Sequence, residues 1–386
     1  MSPLASRVAA AVVVVAGAAV IALAWRCDRA WFERHVGVPF YFAGAPRWAM
    51  PLRVFAVTAG IALVVLSTTI GRGLARLGRL MPPLPTIVAL MAAFAVSEAT
   101  VRIAGSRWRD PAWAGNELRV GHEDARYGWR ARPGSLTEVN LGGRRYGYAV
   151  GPDGLRARTP SAGPDLGRPS LVVVGESVAT GYGLDFDDTF AARAAAALGL
   201  EPIIVAEGGY GTDQAYLRFA DVLPRIGRPV AVVTVFVPAQ LGRVLRDDRP
   251  HLELDATGRL NFVPADAGLL SRSRLLTMFR RLPYASSAAI DRSIALVRAV
   301  FGETVAQARA RGAAPLFAVL SLGPVRPLDA HPEADIIRAL FVEPGFPYVL
   351  IDVDTSERFE VDRHPNAAGA RRMAASIAGA LAPRVR

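Results

Sequence analysis

The 386-residue chain contains no lysine: all 45 of its basic residues are arginine, against 34 acidic ones, giving a formal charge of +11. These arginines are scattered and form no stripe with interleaved aromatics, so no nucleic-acid partner is expected. The charge reads instead as membrane topology plus attraction to anionic surfaces. A single cysteine, Cys27, excludes an intrachain disulfide and any multi-cysteine metal site. His35, His122, His251 and His331 form no close ligand pair, so no metal is expected. No Gly-x-Gly-x-x-Gly follows the first strand of the α/β pattern, which removes the dinucleotide fingerprint, and no cofactor is expected.

Long apolar runs are present, and all lie at the front. Val8 to Trp25, Val54 to Ile70 and Leu84 to Val101 each have about the length a helix needs to cross the hydrocarbon core, predicting three transmembrane helices (8–25, 54–70 and 84–101) in a membrane segment over residues 1–102. The first two lack the polar face of a surface helix. In the third, Glu98 and Arg102 fall one turn apart and can pair at the interface. A short loop carrying Arg72, Arg76 and Arg79 without an acid points to the cytoplasm and places the C-terminal part outside. The loop from Arg26 to Arg53, with five arginines against Asp28 and Glu33, pulls the other way. Ala22-Leu23-Ala24, after Arg7 and an apolar core, also reads as a signal-peptidase site, a version that leaves the C-terminal part on the same side. The expectation is an integral membrane protein with an extracytoplasmic C-terminal domain.

Residues 103–169 combine Gly, Pro and Arg with Trp108, Trp113, Tyr127 and Trp129, and read as an ordered lead-in subdomain of short strands and loops. From 170 onward, strand and helix patterns alternate, the signature of βαβ units and a parallel sheet. Strands are expected at 170–175, 202–206, 230–237, 314–320 and 348–352, and helices at 189–199, 212–223, 285–312, 333–342 and 366–382. Five strands with helices on both faces make a three-layer α/β/α, flavodoxin-like fold. An insertion over about 242–284 leaves the sheet after the third strand and could cap a site.

The run Leu171-Val172-Val173-Val174-Gly175-Glu176-Ser177 delivers a serine at the carboxyl end of a buried strand, where open α/β sheets bind ligands. Taken alone, such a serine is more often a helix cap or turn residue. Asp362-Arg363-His364-Pro365-Asn366 precedes the final helix, and Pro365 suits its first position, placing His364 at the helix start. Serine and histidine can then meet on one rim of the sheet, with imidazole taking the serine proton and carboxylate fixing the tautomer. Gly208-Gly209-Tyr210-Gly211-Thr212 forms a turn whose backbone can approach a ligand, or an ordinary βα turn with Thr212 capping the next helix.

Together these residues resemble the SGNH (GDSL-type) hydrolase and acyltransferase superfamily over about residues 168–384, making 170–386 a catalytic domain. The resemblance implies that Ser177 is the nucleophile and one oxyanion donor, Gly209 the second donor, His364 the base and Asp362 its orienter. Pro365, Asn366 and Gly369 extend the match. Three departures stand out: Glu176 replaces the family's Asp, Asp362 lies two rather than three residues before His364, and Gln240 stands where an Asn amide completes the oxyanion hole. A misplaced donor there costs about 2.7 to 4 kcal/mol of transition-state stabilisation. Arg243 offers an electrostatic alternative, and Glu176, Tyr210, Thr212 and Arg243 are candidate site-lining residues. An α/β-hydrolase elbow would need glycine where Ala179 stands. Three functions remain: a membrane-anchored serine esterase acting on an acylated cell-envelope carbohydrate or lipid, an acyltransferase acting on an extracellular glycan, and a catalytically inert scaffold or glycan-binding protein.

Overall fold

The first apolar stretch forms a single helix, α1 (Pro3–Arg26). The computed structural model in which it is seen describes residues 3–26, 49–80, 91, 94–95, 98–99, 121–141, 144–245, 249–265, 273, 287–321, 333–360 and 364–385. From Ser6 to Arg26, α1 is long and apolar enough to cross a membrane, a property that signal sequences near an N-terminus share.

The second stretch is not one straight span. α2 (Ala49–Val65) ends one residue before α3 (Ser67–Leu80), and the two are bent by 69°. Ser67, Thr68 and Thr69 interrupt the Ala/Val run at that point. Beyond them Ile70, Leu74 and Leu77 recur at helical spacing with Arg72, Arg76 and Arg79 between, an amphipathic pattern suited to an interface. The expected arginine loop is therefore helix. Small residues let α1 approach both neighbours: a Cβ on Gly17 would stand 2.7 Å from the Gly60 carbonyl oxygen, and one on Gly71 would stand 2.6 Å from the Ala10 amide. Of the third expected span, residues 91, 94, 95, 98 and 99 are helical and the remainder lies outside the described residues.

The chain divides into two compact units, Met1–Arg109 with Arg272–Phe279, and Asp110–Ser271 with Arg280–Arg386. The second unit begins with a hairpin, β1 (Gly121–Asp124) and β2 (Gly128–Ala131), followed by an antiparallel meander of β3 (Ser135–Leu141), β4 (Arg144–Val150) and β5 (Arg156–Ala157). Their inward residues Val139, Leu141, Tyr146, Tyr148 and Val150 form a small core with Ala131.

The main sheet starts with β6 (Pro169–Gly175), β7 (Glu201–Ala206) and β8 (Arg228–Phe236). A 3₁₀ turn (Pro238–Leu245) and a hairpin of β9 (His251–Leu254) and β10 (Leu260–Val263) follow, before β11 (Ala314–Ser321) and β12 (Tyr348–Asp352) complete the sheet. Its order is β7-β6-β8-β11-β12, all parallel, the 2-1-3-4-5 arrangement of flavodoxin-like folds. Leu171, Val172, Val173 and Val174 are buried on both faces of β6, which is why the strand reads as an uninterrupted aliphatic run.

The connecting helices are α4 (Ser177–Thr180), α5 (Phe190–Leu198), α6 (Thr212–Val222), α7 (Ser287–Ala310), α8 (Glu333–Ile337) and α9 (Ala367–Leu381). α8 continues as a π-turn over Arg338–Val342, where a regular helix was expected. α6 and α7 pack together over one face of the sheet and α5 with α9 over the other, giving three layers. The expected cap region contains the 3₁₀ turn and the β9–β10 hairpin. The hairpin leans on the start of α6, where the Asp213 carboxylate accepts from the Leu252 N–H at 3.2 Å; residues 246–248, 266–272 and 274–284 of that region lie outside the described part.

Candidate active site

Strand order reverses at β6, whose neighbours β7 and β8 lead away in opposite directions, and Ser177 is the second residue beyond its end. The turn that delivers it needs glycine at 175. Its φ is +155°, and a Cβ there would stand 2.8 Å from the Ala179 Cβ and 3.3 Å from the Val235 Cβ. Glu176 caps α4 by accepting from the Val178 N–H at 3.3 Å. Below the turn, the buried Arg156 guanidinium donates to the carbonyls of Thr180 at 2.6 Å and Leu184 at 2.5 Å, and lies over the Tyr148 ring.

His364 Nε2 lies 2.9 Å from Ser177 Oγ, and both side chains are buried. The histidine loop is tied back at both ends: the Phe359 N–H donates to the His364 carbonyl at 2.8 Å, and Arg358 bridges Pro365. Pro365 does not open the helix. Asn366 is the N-cap, its side-chain oxygen accepting from the N–H groups of Ala368 at 2.8 Å and Gly369 at 3.2 Å, so the helix starts two residues later than the proline suggested.

Ser177 also donates to the Glu176 carboxylate. A hydroxyl has one proton and two lone pairs. A carboxylate only accepts, so while the proton lies on the Glu176 side Oγ is the acceptor toward His364, and the hydroxyl must turn to Nε2 before the imidazole can take its proton. Arg243 stands 3.7 Å from the same Glu176 oxygen and donates to the Tyr210 carbonyl at 3.1 Å. The cluster thus holds a serine hydroxyl, an imidazole placed to exchange a proton with it, and a carboxylate with a cation behind it. This is chemistry suited to acyl transfer through a covalent serine intermediate.

The glycine turn follows β7. Gly209 has φ +81°, open to glycine without strain, and its carbonyl accepts from Arg249 at 2.8 Å. Tyr210 does not line the site: its ring is fully buried, its hydroxyl donates to the Trp129 carbonyl at 2.6 Å, and burial pushes that hydroxyl far above its ordinary pKa. Thr212 is the first residue of α6 rather than its cap. Gly211 takes the cap position, and the Gln214 side chain accepts from its N–H at 3.0 Å. Gln240 lies in the 3₁₀ turn after β8, with its side chain outside the described part, and Asp362 also lies outside the described residues.

Sequence patterns assigned no chemistry to several of these neighbours. Glu176, a candidate lining residue, accepts directly from the Ser177 hydroxyl. Arg156, Trp129 and Arg249 come from the short strands and the insertion. Buried Arg218 pairs with Glu207 at 2.8 Å, and Glu207 also accepts from the Ala131 N–H at 2.8 Å, joining the β1–β2 hairpin to the residue before the glycine turn. Burial works to lower the Arg218 pKa, but the Glu207 carboxylate outweighs it and raises it. Tryptophan density was the available hint, because a buried indole N–H needs a partner.

No family model matches this chain, and no curated protein sequence does. Among solved structures it is similar to a lipolytic protein of the G-D-S-L family from Desulfitobacterium hafniense DCB-2, at 14% identity and a TM-score of 0.35, over 55% of this chain and 99% of that one. It is also similar to an acetyl xylan esterase (Est2A) from the rumen bacterium Butyrivibrio proteoclasticus, at 12% identity and a TM-score of 0.33, over 56% of this chain and 64% of that one, just under two thirds of its length. Similarities this distant do not bear on chemistry, which rests on the geometry above.

Proposed function

We propose that this chain is a membrane-anchored serine esterase of the SGNH type that removes acyl groups from a cell-envelope carbohydrate or lipid, with its catalytic unit outside the cytoplasm. The observation that carries the proposal is the 2.9 Å contact between Ser177 Oγ and His364 Nε2 at the switch point of the sheet. Ser177 attacks the ester carbonyl while His364 takes its proton; Asp362 orients the imidazole. The tetrahedral oxyanion is held by the N–H groups of Ser177 and Gly209 and the amide of Gln240, with Arg243 adding positive charge nearby. His364 then passes the proton to the departing alcohol. Water, deprotonated by the same imidazole, releases the acyl group as a carboxylic acid and restores Ser177. α1 is the anchor, and a catalytic unit confined to the membrane surface has acylated envelope carbohydrates and lipids as its nearest esters.

The test is labelling of the full-length chain in detergent by a fluorophosphonate, which phosphonylates activated serines. Wild type should label, and Ser177→Ala and His364→Ala should not. Folded wild type that stays unlabelled would overturn the esterase in favour of a non-catalytic glycan-binding protein.

A further inference from the structure

Three successive carbonyls of the glycine turn are each held by a side chain from outside the sheet. The Trp129 indole Nε1–H donates to the Gly208 oxygen at 2.9 Å, Arg249 Nη1 to the Gly209 oxygen at 2.8 Å, and Arg243 Nη1 to the Tyr210 oxygen at 3.1 Å. The donors come from β2, from two residues before the β9–β10 hairpin and from the 3₁₀ turn, so Trp129 lies more than a hundred residues before the two arginines. They also support one another: the Arg249 guanidinium lies 4.9 Å from the Trp129 ring centroid, and Trp129 meets Tyr210 edge-on at 5.6 Å.

A trans peptide is planar, with its C=O and N–H pointing in opposite directions. Fixing the Gly208 carbonyl on Trp129 therefore turns the Gly209 N–H away from the β1–β2 hairpin. Glycine at 209 can otherwise rotate this peptide freely, because its φ of +81° lies where no side chain restrains it. An oxyanion donor works only if it is aimed before charge develops.

We propose that Trp129 is a positioning residue for the oxyanion hole. Its indole N–H sets the direction of the Gly209 N–H, and Arg249 locks the next carbonyl so that the turn cannot flip. This inference rests on the esterase reading, and it gives the lead-in hairpin a part in the reaction.

The test is turnover of p-nitrophenyl acetate by the full-length chain in detergent, comparing wild type with Trp129→Phe, which keeps a ring but removes the N–H. A donor aimed at the transition state alone affects kcat, so kcat should fall about tenfold with KM held within about twofold. A short alkylboronic acid, whose serine adduct carries the oxyanion, should bind more weakly by the same factor. Arg249→Met should show the same split, and it decides the matter if Trp129→Phe does not fold. A folded variant with wild-type kcat, or with KM alone changed, overturns the positioning role and leaves the esterase reading standing. Wild type without Ser177-dependent turnover overturns the esterase reading, and the positioning role with it.

Discussion

The ring of Tyr182 lies on the imidazole of His364, with centroids 4.6 Å apart and planes tilted by 39°. Tyr146 of β4 in turn packs against Tyr182 at 6.2 Å. The histidine is thus held by the small meander as well as by its own loop. An aromatic face also favours the imidazolium that forms when His364 takes a proton, by about 0.5–2 kcal/mol.

Tyr182→Leu should therefore slow fluorophosphonate labelling of Ser177, by up to roughly tenfold if about 1.4 kcal/mol is lost from the transition state. Tyr182→Phe, which keeps the ring face, should stay close to wild type. Equal slowing in both variants would assign the effect to the hydroxyl instead.

Gly175→Ala places a methyl group where the Ala179 Cβ is 2.8 Å away. Neither β6 nor α4 can yield without moving Ser177, so labelling should be lost. Overpacking of this kind costs about 1–3 kcal/mol, which a thermal melt reads directly. A variant that melts and labels like wild type would contradict the tight turn.

Arg156→Met fills similar space without donors and leaves the Thr180 and Leu184 carbonyls bare beneath the nucleophile turn. Each unsatisfied buried group costs about 1–3 kcal/mol. Denaturant unfolding should show a loss of about 2–6 kcal/mol, and amide exchange should quicken first around residues 180–184.

Burial pushes the Asp213 carboxyl above its ordinary pKa, with the Leu252 and Gln214 N–H groups, Arg249 and His251 opposing the shift. The folded chain then keeps this proton to higher pH than the unfolded chain, whose carboxyl titrates near about 3.9. Across the window between the two values the folded state binds more protons, so stability falls as pH rises and stays lower above the window. Asp213→Asn removes that dependence and can still accept from Leu252. Its Tm should vary less between acid and neutral pH, and should exceed that of wild type at neutral pH. A wild-type pH profile in the variant would refute the buried-acid account.

A reporter fused after Arg386 should signal only outside the cytoplasm. A purely cytoplasmic signal would reverse the placement of the catalytic unit.

The parallel sheet was legible because strands covered on both faces become aliphatic runs, as at Val172-Val173-Val174. Ser177 and His364 were legible because each follows a strand end in a short polar motif, and strand ends of a parallel sheet share one rim. The bend at Leu66 was hidden, since hydropathy sums composition and is blind to direction, and the two bent segments together are still apolar enough to read as one span. Tyr210 sits beside a candidate donor in sequence, but its large ring had more to gain from the core than from the rim. The Glu176 contact depends on how a glutamate stem folds back over its own neighbour, which spacing cannot show. Asn366 outcompeted Pro365 for the helix start because its side chain satisfies two otherwise bare N–H groups.

Residues 121–157 do more than connect the N-terminal helices to the parallel sheet. Cut at Pro169, the chain would keep the whole sheet yet lose Ala131 from Glu207, Trp129 from Gly208 and Arg156 from beneath α4. The heritable module is accordingly larger than the recognisable motifs. A gene fusion that moved this domain onto another N-terminal segment would preserve these contacts only if the breakpoint fell upstream of Gly121.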